Sequence, residues 1–202
     1  MSMKTVLAGM LLLAGGISID AAADAVTSNT DRASAPQEWR YEAKEHYRFN
    51  LGGDSGQYTD WERLDLDGFD GIAGTVRIDK VYGKPSDKWG SIARVAMFGA
   101  GEEKERPMFS LMFYVDRKTS TIVPIITHGK NAKEEAFDLK FEVGRPIEFT
   151  ILATSPGKLL FGFGKQSFEV PYDFEIKALR VVGSGVDVKF EPFNLLRRVQ
   201  SR

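Results

Sequence analysis

A chain of 202 residues, 43% of them hydrophobic and 11% aromatic, is long enough to bury one sizeable core. Its formal net charge of −1 argues against wholesale binding to nucleic acid or to an anionic membrane, since both need a basic surplus. The absence of cysteine excludes disulfides and thiolate chemistry.

The first 25 residues, MSMKTVLAGMLLLAGGISIDAAADA, carry one early cation, Lys4, then an apolar run from Val6 to Ile17, then an alanine-rich stretch to Ala25. That order is the anatomy of a secretory signal peptide, and the apolar run is too short to span a bilayer. Ala23-x-Ala25 offers a cleavage site after Ala25, and cleavage after Ala23 fits nearly as well. Its removal takes away Lys4, Asp20 and Asp24 and leaves a formally neutral chain with no transmembrane segment. The expected location is the periplasm or the cell exterior. Residues 26–38 are polar and aperiodic and read as a flexible leader.

Residues 40–46, RYEAKEH, suggest one helical turn. GDSG at Gly53–Gly56 resembles a protease nucleophile segment, but the histidine upstream, His46, is only a few residues away, so a loop is expected. Short β-rich runs then alternate with turn signals. The expected strands are Tyr58–Leu66, Thr75–Tyr82, Ser91–Gly99, Met108–Val115, Thr121–Thr127, Phe137–Val143, Ile147–Thr154, Lys158–Gly164, Ser167–Val170, Ile176–Val182 and Val186–Phe193. Between the first two, DLDGFDG brings Asp65, Asp67 and Asp70 together as a calcium candidate. Phe69 at the fifth position departs from the EF-hand pattern, and a turn is the alternative. Alternation in PMFSLMFYVDR sends Phe109, Leu111, Phe113 and Val115 to the core and Ser110, Met112, Tyr114 and Asp116 outward. In RPIEFTILAT it sends Ile147, Phe149 and Ile151 inward and Glu148 and Thr150 outward.

GKLLFGFGKQSF, residues 157–168, lacks the G-x-x-x-x-G-K-[ST] spacing and the following helix of a phosphate loop. It reads instead as a hairpin. Phe161 and Phe163 anchor the core, Gly162 lies on the outer face, and Gly164-Lys165 turn. No cofactor motif is present, and the two histidines, His46 and His128, have no zinc-ligand spacing. Both the E-x-D-x-x-E strand of sandwich glucanases and the Q-I-H strand of sandwich alginate lyases are absent.

These signals predict an all-β, two-sheet antiparallel jelly-roll sandwich over residues 39–193, followed by a short basic tail, 194–202, that frays. The segment VGRPIEFTILATSPGKLLFGFGKQSFEVPYDFEIKALRVVGSGVDVKFEPF, residues 143–193, is similar to the galectin strand order, within the wider concanavalin-like lectin and glucanase sandwiches. Galectins grip galactose with H-x-N-x-R on one strand. The matching strand here is LMFYVDR, with Met112, Tyr114 and Asp116 at those positions. The next strand, ITHGKNAKEEAF, supplies Thr127, His128, Asn131 and Glu134 or Glu135, without a tryptophan. The resemblance therefore implies the fold and a groove in the same place, lined by different ligands.

The leading functional reading is an exported, non-catalytic carbohydrate-binding protein. Tyr114 or Trp89 would stack on a sugar, and Arg94, Asp116, His128 and Asn131 would hydrogen-bond it. One alternative is a lyase on uronate polymers, in which Tyr114 and His128 move a proton and Arg94 holds the carboxylate. Another is an envelope protein that binds a protein partner through an edge strand.

Overall fold

The computed structural model describes residues 39–54, 56–66, 68–84, 90–102, 106–128, 133–155, 157–164 and 166–200. The expected signal peptide and leader lie outside the described residues, as do Asp67, Trp89 and Asn131. No helix among the described residues is long and apolar enough to cross a membrane.

Two antiparallel sheets face each other. Sheet A runs, in spatial order, β1 (Trp39–Gly52), β13 (Val186–Gln200), β3 (Gly71–Val81), β9 (Ile147–Ser155), β10 (Lys158–Phe163) and β11 (Gln166–Pro171). Sheet B runs β2 (Tyr58–Leu64), β12 (Ala178–Ser184), β4 (Ser91–Phe98), β5 (Met108–Asp116), β6 (Thr121–His128) and β7 (Lys133–Ala136), with β8 (Phe141–Glu142) also paired to β6. This is the expected jelly-roll sandwich.

Alternation builds the core. Phe109, Leu111, Phe113 and Val115 from β5 meet Ile147, Phe149 and Ile151 from β9, all at most 2% exposed. Phe113 meets Phe149 edge-on at 5.6 Å between ring centroids. Phe193 lies 5.1 Å from Phe49, 6.3 Å from Phe149 and 6.0 Å from Phe190, which ties three strands of sheet A into one aromatic layer. Phe161 and Phe163 are buried as expected. Gly162 lies on the outer face, where the Thr150 hydroxyl occupies the space that a Cβ would need. Gly164 turns the chain with φ of 57°.

The ends of the chain correct two expectations. Residues 40–46 are not a helical turn; they belong to β1. Residues 194–200 do not fray; they complete β13, with Leu195 and Leu196 each 3% exposed. The two segments are each other's partner: Trp39 pairs with Gln200, Tyr41 with Arg198 and Ala43 with Leu196. Bulges after Ala43 and Tyr47 break the alternation that would have marked β1 as a strand.

The expected strand Phe137–Val143 is also replaced, by β7 and β8 with a gap between them. Pro124 of β6 explains the gap. Its carbonyl accepts the Phe137 N–H at 3.1 Å, so its nitrogen faces the same way and has no hydrogen to give. The ladder beside β6 is interrupted opposite that residue.

Candidate functional site

The outer face of sheet B is built in rows that cross the strands. Direct pairing places Asp60, Val182, Arg94, Met112, Ile125 and Ala136 in one row. The next row holds Tyr58, Ser184, Ile92, Tyr114 and Val123. On the other side lie Glu62, Arg180, Ala96, Ser110, Thr127 and Glu134. Arg94 and Tyr114 are diagonal neighbours on adjacent strands, about 7–8 Å apart at Cα.

Tyr114 is 38% exposed and presents its ring to solvent. Gly90 gives that ring room: a Cβ at position 90 would stand 3.3 Å from Tyr114 Cε2.

Arg94 leans the other way, over the small residues Ala96 and Ser110, and its Nη2 reaches Met108 Sδ at 2.9 Å. That cover explains why Ser110 is fully buried on an outward face. Among the described residues no carboxylate pairs with Arg94, and its Nε is buried without a hydrogen-bond partner. Burial pulls the guanidinium below the ordinary arginine value; Glu134 opposes this and Arg180 adds to it. The neighbouring cations differ. Arg106 donates to Glu62 Oε1 at 2.7 Å, and Arg180 donates to Glu62 Oε2 at 3.0 Å. Hydrogen bonding to Arg106 first, and to Arg180, holds the Glu62 carboxyl below the usual glutamate value.

The remaining expected site residues part company. Asp116 shares the outer face, but its carboxylate accepts from the Lys118 N–H and the Thr119 hydroxyl, each at 2.9 Å, and so closes the 117–120 turn. The Lys118 N–H bond is the main cause holding its carboxyl below the ordinary aspartate value. His128 pairs with Phe109, so it lies on the core face, the face opposite Tyr114 and Arg94. Its ring stacks on Phe109 at 5.8 Å, and Nε2 meets Glu135 Oε1 at 3.3 Å. A proton relay between Tyr114 and His128 would have to cross the sheet. Of the calcium candidates, Asp70 accepts the Arg198 N–H at 2.8 Å and ties β13 to the turn before β3. Asp65 is exposed, with φ of 60°. Among the described residues no group of three or more acidic or histidine side chains is placed to hold a metal ion.

One residue on this face escaped the sequence reading. Tyr58, 72% exposed, shares the row of Tyr114.

No protein-family model matches the sequence, and no curated protein matches it. Solved structures match in fold. A β-fructofuranosidase from Schwanniomyces occidentalis is 8% identical with a TM-score of 0.52, covering 78% of this chain and 34% of its own, so this chain spans about a third of that enzyme. An alginate lyase from Alteromonas sp. 272 is 9% identical with a TM-score of 0.48, covering 76% of this chain and 87% of its own. A Caenorhabditis elegans galectin is 8% identical with a TM-score of 0.43, covering 74% of this chain and 94% of its own. The match to the β-fructofuranosidase shows the fold alone, a two-sheet antiparallel jelly-roll sandwich.

Proposed function

We propose that the chain is an exported glycan-binding sandwich whose site is the outer face of sheet B, and that its ligands carry carboxylates. The observation that carries this reading is Arg94. It is a half-buried guanidinium without a described carboxylate partner, on the same face as the exposed ring of Tyr114 and leaning away from it toward Met108. A buried cation gains most from a ligand that supplies the missing anion, and guanidinium matches a carboxylate in a two-pronged hydrogen bond. A sugar ring presents an apolar face to an aromatic side chain and hydroxyls around its edge. A uronate polymer offers both a ring face and carboxylates. The support comes from the face itself, because shared fold does not specify function.

Equilibrium binding of the mature protein to alginate, polygalacturonate and neutral glucans tests this. Uronate polymers bind, neutral glucans bind at least tenfold more weakly, and Tyr114→Ala weakens uronate binding about tenfold. Silence across the panel, or a Tyr114→Ala affinity equal to that of the unmodified chain, defeats the proposal.

A further inference from the structure

Two large aromatic side chains stand exposed on sheet B, and the register puts them in one row. Tyr58 pairs with Ser184, Ser184 with Ile92, and Ile92 with Tyr114, with no irregularity in any of the three ladders. Direct partners across a sheet share a face, so both tyrosines point outward from the same surface. Three inter-strand steps separate them, about 14 Å. The residues between are lower: Ser184 and Ile92 are half-buried, and the Ser184 hydroxyl is held down on the Gln57 carbonyl at 3.0 Å. Arg94 flanks the same row on the Tyr114 side.

From this geometry we infer that the glycan is an extended chain laid across the strands, with Tyr114 and Tyr58 as two stacking platforms. The inference rests on the glycan-binding reading and adds its length and direction. A single ring on Tyr114 cannot reach Tyr58. A chain of several rings spans both, and the second contact is then made at high effective concentration. Tyr58 is 72% exposed on an edge strand, open to a ligand that lies along the row.

Titration calorimetry with digalacturonate and hexagalacturonate tests the inference. The hexamer binds about tenfold tighter than the dimer. Tyr58→Ala removes that advantage and leaves dimer binding unchanged. Ser184→Glu, which raises a charged side chain between the platforms, does the same without touching either ring. Equal affinities for the two lengths overturn the inference. So does a Tyr58→Ala protein that keeps the hexamer preference while Tyr114→Ala loses binding, an outcome that leaves the glycan-binding reading standing. If Tyr114→Ala is also without effect, that reading falls as well. Sedimentation serves as the second measurement: a dimer that Tyr58→Ala dissolves would assign the exposed ring to self-association and overturn the inference.

Discussion

The outer faces of the two sheets follow the same alternation and end in opposite conditions. On sheet A, Tyr41 lies across the face from β1 and donates to the Ala153 carbonyl at 2.7 Å, with Leu152 and Leu196 buried beneath it. Its charges meet partners, as in Arg77–Asp79 at 2.7 Å, Lys189–Asp79 at 3.0 Å and Lys158–Glu169 at 3.1 Å. On sheet B, Glu62 pairs with Arg106 and Arg180, but Arg94 lies half-buried against a thioether and two tyrosines stand open. A surface built only for solubility has no reason to desolvate a cation without a partner. Under the proposed function, the contrast separates a face that finishes the fold from a face that takes the ligand.

The largest effect expected from breaking this contrast is at Arg94. Arg94→Met keeps the apolar stem and removes the charge. Uronate binding should fall about a hundredfold, while the urea midpoint stays level or rises, because an unpaired half-buried charge is gone. A lower midpoint would show that Arg94 serves the fold. Tyr41→Phe is the mirror experiment. It leaves the Ala153 carbonyl without its donor and should cost about 1–2 kcal/mol of stability, with glycan affinity unchanged. The smallest effect is at Glu62, whose carboxyl is held below its ordinary value by Arg106 and Arg180. A depressed carboxylate contributes stability above its unfolded-state value and loses it as pH falls through the folded-state value. Glu62→Gln should therefore cost up to about 1 kcal/mol at neutral pH. The difference from the unmodified protein should vanish on acidification below the glutamate range, as read from urea midpoints along a pH series.

Much of the sandwich was legible in the sequence because its central strands bury one face each. β5 alternates along its length and β9 alternates from Ile147 to Ile151, so their inward residues can be named from spacing alone. The segments that misled are those whose burial depends on a distant partner. Residues 40–46 are dense in charge because they form a sheet edge, where charged side chains deter further pairing. Residues 194–200 look like a tail until they lie against that edge, about 150 residues away in sequence. The site was half legible. Tyr114 and Arg94 share a face, and spacing within β5 already pointed Tyr114 outward. A histidine at a strand end suggests a ligand, and on that ground the sequence points to His128 for the same site. A signal against this was present: a turn over 117–120 closes Asp116 onto Thr121, and counting outward from that pair sets His128 opposite Phe109. Tyr58 could not be found this way. Its row is defined by β12, which lies far along the chain.

The pairing of Trp39 with Gln200 has a consequence for how the domain is presented. Both ends of the described chain leave from one corner of sheet A. Thirteen residue steps along β1 separate Trp39 from Gly52, roughly 40 Å of strand, and Gly52 is where the Thr59 hydroxyl of the Tyr58 strand is anchored. A tether, a fused module or a surface attachment at either end would therefore hold the sandwich by the end of β1 remote from the Tyr58 strand's anchor at Gly52.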